Sequence, residues 1–391
     1  TSYYIGVRLV GSEMCIRDSP YIRGETDLDV AYGIGLSHAE DSYDDLVELM
    51  PLYRGKSALF NGLKGLETDY LVRLLRVHQN VEKIAKNQLS DRSLKMAQAY
   101  ADGVNKFARD NPKKVNQKLH PITKEDVIAG SYIQHLFFAG LDRDLAVMSN
   151  HVSTSIPTGS NAIAVNGKKS EGESSFLLIN SHQPLAGPVG WYELNVKSQS
   201  GWSAHGGNFP GSFVVNVGFN KSIGWGATVN KPDVLDIFEL TINPNNKDQY
   251  WFEDSWKEMR VRKVPIKVKL FGPFSWTFKR KVKESIHGPV MEFDHGTYSL
   301  RISSLKNLKF IEEWYRMGKA RNYTEFRKAM EIHALPMFNT GYADKGGNIY
   351  YVYNAKIPKR NEGYNWNELL AGDKQENIWT DYVPFDSLPQ V

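Results

Sequence analysis

The stretch Thr158 to Asn166, Thr-Gly-Ser-Asn-Ala-Ile-Ala-Val-Asn, constrains the fold most, because the hydrophobic period changes across it. Before it, apolar residues recur at helical spacing. From the cap candidate Ser90, Leu94, Ala97, Ala101, Val104 and Ala108 share one face until Asn111-Pro112 ends the run. Thr123 with Asp126 makes a capping-box start for a second helix through Val127, Tyr132, Ile133, Leu136 and Phe137. Pro20 to Gly35 reads as a turn-rich entry into a helix capped by Thr26 or Asp27. Leu46 to Met50 reads as a short amphipathic stretch ending at Pro51. Residues 20–150 are therefore expected to be mainly helical.

Beyond Ser160 the pattern is that of strands. Ala162 to Val165, the Asn166-Gly167 turn and Phe176 to Ile179 predict a hairpin whose arms are apolar enough to lie inside a sheet. Trp191 to Val196, Phe213 to Val217, Ile223 to Val229 and Ile237 to Ile242 predict further strands. Trp251 to Ser285 forms a second β region around Gly272-Pro273, with Arg260, Arg262, Lys267 and Lys269 on its solvated face. Glu312 to Ile332 returns to helix. Gly341 to Tyr353 predicts a hairpin with Lys345-Gly346-Gly347 at its tip.

Composition narrows the function classes. With 391 residues, 41% hydrophobic and 24% charged, the chain can bury a sizeable core. The net charge of +4 comes without an aromatic-studded basic motif, so nucleic acid is not an expected partner. One cysteine, Cys15, excludes an intrachain disulfide framework and a cysteine-based zinc site. No apolar run of about 18 residues occurs, so no membrane-spanning helix is expected, and the start does not read as a signal peptide. Residues 9–18 resemble a translated sequencing-adapter artefact, and 1–19 are set aside as a non-native leader.

Several catalytic devices are missing from the sequence: a Gly-x-Ser-x-Gly elbow, a His-Glu-x-x-His helix and a phosphate loop. Gly33-Ile34-Gly35 lacks a third glycine and follows no credible strand, which argues against a dinucleotide site. Nucleophilic serine chemistry of another build remains.

Gly159-Ser160-Asn161, Asn180-Ser181-His182, Phe209-Pro210-Gly211, Ile223 to Thr228 and Asp233-Val234-Leu235-Asp236 follow one another in an order that resembles the penicillin acylase family. The stretch Asn339 to Pro358 and the tail from Leu370 to Asp386 extend the resemblance. Thr26-Asp27, Gly33-Ile34-Gly35 and Ala39-Glu40-Asp41 resemble the family's small-subunit opening.

The resemblance implies an α+β fold, the αββα sandwich of N-terminal nucleophile hydrolases, here without its C-terminal part. It also implies self-cleavage between Gly159 and Ser160 into a two-chain heterodimer: residues 20–159 as the small subunit with its linker, and 160–391 as the N-terminal part of the large one. A serine so freed carries its own base, since an α-amine has an ordinary pKa of about 7.7 to 8.0.

By the same resemblance His182 orients that amine and a water. Its presence there resembles the acyl-homoserine lactone and lipopeptide acylases more than the penicillin G branch. Val229 would give a backbone N–H and Asn339 a side-chain amide to an oxyanion hole, and Arg360 would steady Asn339. Asp233, the Leu235 carbonyl and Asp236 match part of a structural calcium site of some relatives; no cofactor is required for catalysis. The implied partner is a small N-acyl substrate, and the implied location periplasmic or secreted. Penicillin or cephalosporin side-chain cleavage is the alternative within the fold, and an inactive carbohydrate- or partner-binding sandwich the alternative of another class. Gln183 stands where relatives with an acyl pocket usually carry an apolar residue.

Overall fold

Thr26 starts the first helix in the way its spacing to Asp29 predicts. Its hydroxyl accepts from the Asp29 N–H, and the Asp29 carboxylate accepts from the Thr26 N–H, which satisfies two amides that a helix start leaves open. The chain is seen as a computed structural model that describes residues 2–5, 8–14, 19–141, 145, 159–185, 187 and 189–391, with side chains from Ser19 onward. Cys15 and Thr158 lie outside the described residues.

Strands β1 (Ser2–Ile5), β2 (Arg8–Met14) and β3 (Pro20–Gly24) precede helix α1 (Asp27–Glu48). A strand therefore stands where a turn-rich entry was expected: Ile22 is fully buried and β3 pairs with a later strand, contacts that no local signal carries. Helices α2 (Met50–Tyr53), α3 (Ser57–Asn61), α4 (Leu66–Leu74), α5 (Val77–Gln88), α6 (Asp91–Asp110) and α7 (Lys124–Phe138) follow. The last two begin at the caps read from sequence, and α6 ends at Asn111-Pro112 as expected.

Gly35 and Gly103 let α1 and α6 cross almost in backbone contact. A Cβ on Gly35 would lie 2.1 Å from the Tyr100 carbonyl oxygen, and one on Gly103 2.1 Å from that of Tyr32. The Gly-Ile-Gly step is thus a helix crossing, and it does follow a strand, although not in the order a dinucleotide fingerprint needs.

The second part contributes β4 (Gly159–Val165), β5 (Phe176–His182), β6 (Tyr192–Ser198), β7 (Ser203–Asn208), β8 (Val217–Phe219) and β9 (Ile223–Thr228). Next come β10 (Leu235–Glu239), β11 (Ile242–Asn243), β12 (Asn246–Phe252), β13 (Ser255–Glu258), β14 (Arg260–Lys269), β15 (Ser275–Glu284), β16 (Pro289–Phe293) and β17 (Gly296–Ile302). Helices α8 (Phe310–Lys319) and α9 (Tyr323–Met330) replace the single expected helix. Strands β18 (Asn339–Asp344), β19 (Ile349–Tyr353) and β20 (Leu370–Ala371) end the run.

The central sheet has nine strands in the order β1-β2-β3-β6-β7-β8-β9-β18-β19, antiparallel except where β3 meets β6. A six-stranded sheet, β14-β15-β16-β17-β10-β20, stands beside it. Phe213 to Asn216 is buried as predicted but is not a strand; only Val217–Phe219 pairs.

Helices cover one face of the central sheet, and the β4–β5 hairpin lies on the other. Trp225 points to the helices, where Gly318 of α8 leaves room for its ring, and Gly224 and Gly226 point to the hairpin. The hairpin departs from expectation in two ways. Asn166 caps a 3-10 turn inside a longer connection, its side chain accepting from the Lys168 N–H at 2.8 Å. The arms are also not inside a sheet: Ile163, Phe176 and Leu178 are 52–56% exposed, with no covering layer among the described residues.

Candidate active site

Strand pairing positions the site. In β4–β5, Ser160 stands opposite Ser181, Gly159 opposite His182 and Asn161 opposite Asn180. Side chains alternate along a strand, so Ser160 and Ala162 share a face with Ile179 and Ser181. That face rests on β9 and β18, where glycines keep the gap narrow: a Cβ on Gly226 would come within 2.4 Å of Ile179, and one on Gly224 within 3.1 Å of Leu177. The Ile-Gly-Trp-Gly-Ala-Thr signature thus places small positions under the hairpin and a tryptophan in the core.

Ser160 and Ser181 open onto an apolar pocket. Its walls come from α7 (His135, Phe138), from Trp191 and Phe209, from α8 (Phe310, Trp314), and from Val229 and Phe338. Trp191 stacks on Phe209 at 4.2 Å, and Phe138 on Phe209 at 5.6 Å. Such walls suit a flat or flexible apolar group.

His135 keeps this wall uncharged. Its Nδ1 donates to the Ser131 carbonyl at 2.7 Å, and its Nε2 accepts from the Trp314 indole N–H at 3.1 Å, which fixes the tautomer. Burial pushes its pKa down to about 4. Among the described residues, three polar atoms lining the pocket are buried without a hydrogen-bond partner: Gln183 Oε1, Trp191 Nε1 and Asn216 Oδ1.

Val229 lines the pocket at the end of β9, and Asn339, opposite Thr228 in the β9–β18 register, stands beside it. The Asn339 amide is held at both ends, donating to Thr228 Oγ1 at 3.0 Å and accepting from the Tyr351 hydroxyl at 2.8 Å. Among the described residues the other Nδ2 hydrogen has no acceptor, which leaves it for a ligand. The residue before it, Phe338, has φ of 120°, a strained conformation for a side-chain-bearing residue, and its N–H donates to Asn230 Oδ1 at 2.9 Å.

His182 lies on the exposed face of the hairpin, away from the Ser160 side chain and next to the Gly159–Ser160 bond. A Cβ on Gly159 would be 3.1 Å from its Nδ1. Its Nε2 lies 3.3 Å from Asn161 Nδ2 and 3.2 Å from Asn180 Nδ2 and accepts from these amides.

Arg360 is not joined to Asn339. Its guanidinium donates to Asp236 Oδ2 at 3.0 Å, Asp233 Oδ1 at 2.9 Å and the Asp233 carbonyl at 3.2 Å. These are the two carboxylates expected around calcium. Asp236 also accepts from the Trp379 indole, and burial raises its pKa against the pull of Arg360. With one cation already across both carboxylates, and Leu235 offering only a main-chain oxygen, the set does not fit calcium, which wants six to eight oxygens. Among the described residues no group of three or more His, Cys, Asp or Glu gathers to hold a metal.

Sequence reasoning named Ser160, His182, Val229 and Asn339 but missed Thr228 and Tyr351, which orient the amide. Thr228 was within reach, as the residue before Val229. The pocket walls were not, because they come from elements far apart in sequence.

The family model for penicillin amidase matches residues 17–391. The chain belongs to the penicillin amidase family. Acyl-homoserine lactone acylase PvdQ of Pseudomonas putida is 22% identical over 385 residues, 87% of this chain and 49% of that protein. The protein of the same name from Pseudomonas syringae pv. tomato is 24% identical over 388 residues, 87% and 50% of the two chains. Aculeacin-A acylase of Actinoplanes utahensis is 25% identical over 214 residues, 53% of this chain and 27% of its own. The solved thermostable penicillin G acylase from Alcaligenes faecalis matches with a TM-score of 0.50 and 28% identity, over 60% of this chain and 42% of that one. The chain spans about half the length of the curated relatives it matches. Its mixed α+β architecture is that of this family, as expected from the sequence.

Proposed function

We propose that the full-length protein is an amidohydrolase that cleaves N-acyl amides through an acyl-enzyme on Ser160. The observation that carries this reading is the β4–β5 register, which sets Ser160 at an aromatic pocket shared with Val229, whose neighbour Thr228 pairs with Asn339. Cleavage of the Gly159–Ser160 bond frees the Ser160 amine. Ser160 Oγ then attacks the substrate carbonyl, and its proton passes, through a water, to that amine. The oxyanion is received by the Val229 N–H and Asn339 Nδ2, each contributing about 3 kcal/mol. Collapse expels the leaving amine with the proton, and a second water hydrolyses the ester. His182, beside the cleaved bond and fixed by Asn161 and Asn180, holds the new amine in place.

The pocket suits an apolar acyl group. The names of the acyl-homoserine lactone and aculeacin-A acylases, with histidine at position 182, favour N-acyl lactones or lipopeptides over β-lactams. The likeness to penicillin G acylase supports the second reading, side-chain cleavage of a penicillin. The two-chain product and a periplasmic or secreted location belong to the same proposal. Release of free amine from acyl-homoserine lactones of graded length, measured against phenylacetyl amides, separates the two readings. Inertness toward both, with an intact single chain, would favour a binding module.

A further inference from the structure

The β14–β15 hairpin has no part in this chemistry, and its composition is unusual. Between Arg260 and Glu284 it carries nine lysines and arginines and, at its base, a single acid. Its shaft is anchored. Val264, Ile266 and Val268 are buried, packing with Ala58, Leu66, Tyr70 and Leu74 of the small helices. Some of its cations are paired close to the base, as Arg260 with Glu284 and Lys281 with Asp248.

The far end is different. Leu270, Phe271, Phe274 and Trp276 are 49%, 69%, 60% and 63% exposed, although burial is the ordinary fate of such side chains. The turn that presents them is well formed. Gly272 takes φ of 51°, the Phe274 N–H donates to the Phe271 carbonyl and the Leu270 N–H to the Phe274 carbonyl, both at 2.9 Å, and the two phenyl rings lie 5.1 Å apart. Behind the tip, Lys263, Lys267, Lys269, Lys279 and Arg280 are exposed and make no ion pair among the described residues. At a strand rise of about 3.4 Å per residue, Lys269 and Lys267 follow Phe271 at about 7 and 14 Å.

We propose that this hairpin is a membrane prong, whose apolar tip enters the interface of an anionic phospholipid bilayer while the lysines behind it meet the headgroups. The depth matches, since interfacial elements bury about 5–10 Å, which brings Lys269 to headgroup level. The four apolar side chains favour lipid over nucleic acid, for which the cations alone would serve. Each lysine near an anionic surface strengthens binding about five-fold. The inference is independent of the reaction at Ser160.

The test is co-sedimentation of the full-length protein with phosphatidylglycerol-containing and pure phosphatidylcholine vesicles, at about 0.1 M and 0.5 M salt, spanning a strong change in screening. The expected result is binding at least about ten-fold tighter to the anionic vesicles and weakened by salt. The combined variant Phe271→Ser, Phe274→Ser and Trp276→Ser should lose about ten-fold or more with an unchanged circular dichroism spectrum. The charge variant Lys267→Glu, Lys269→Glu and Lys279→Glu should lose the preference for anionic lipid. Equal binding to both vesicles, no binding to either, or anionic binding kept by the tip variant together with equal binding to heparin would overturn the proposal.

Discussion

At the residue scale, the best-defined group in the site is the Asn339 amide, fixed by Thr228 on one side and Tyr351 on the other. Asn339→Ala should lower kcat by about 100- to 1000-fold on the full-length enzyme, the loss of one oxyanion donor. Tyr351→Phe removes only an orienting hydrogen bond worth about 1 kcal/mol, so steady-state kinetics should show a decrease of about ten-fold or less. Gln183 Oε1, without a partner among the described residues, makes a separate prediction. A dry buried acceptor costs about 1–3 kcal/mol, so Gln183→Leu should raise kcat/KM for unsubstituted acyl chains relative to wild type.

Titration gives another. Burial holds His135 and His287 at about 4 and His38 at about 3, below the ordinary 6.5, so only the unfolded chain takes up these protons as pH falls from 6.5. Their stability contribution is present above 6.5 and lost toward 4, by roughly 1.4 kcal/mol per pH unit for each. Glu313 works in the opposite sense. Burial, outweighing the Ala334 and Leu335 N–H groups, raises it to about 8 from 4.5, so its contribution is full below 4.5 and lost as pH rises to 8. Denaturant melts of Glu313→Gln should therefore gain on wild type between pH 4.5 and pH 8; a constant difference would contradict this assignment.

At the scale of elements, the hairpin and the central sheet meet through glycine. Gly226→Ala brings a methyl within 2.4 Å of Ile179, so the variant should lose about 1–3 kcal/mol in denaturant melts. Ile179→Ala in the same chain should recover part of that loss, a coupling that unrelated sites would not give. The legible parts of the fold are the local ones. Helices α6 and α7 begin where Ser90 and Thr123 say they should, and α6 ends at Asn111-Pro112, because a cap is settled by neighbours a few residues away. Strand β3 was missed because its partners lie far along the chain, and Phe213 to Asn216 was misread because burial alone does not make a ladder. In the site, the motif residues were legible while their mutual contacts were not. Arg360 holds Asp233 and Asp236 rather than Asn339, a choice made by tertiary packing.

At the scale of the molecule, parts of the chain on both sides of Ser160 build one pocket. Helices α7 and α8 supply pocket walls, and the hairpin supplies the serine that faces them. The central claim is that the Gly159–Ser160 bond is cut to make the nucleophile. Intact mass and N-terminal sequencing of the purified full-length protein test it most directly. The account predicts two polypeptides, the larger beginning at Ser160, and a single uncut chain for Ser160→Ala. A wild-type protein that hydrolyses N-acyl amides as one uncut chain, or a Ser160→Ala variant that is still cut at this bond, would contradict it.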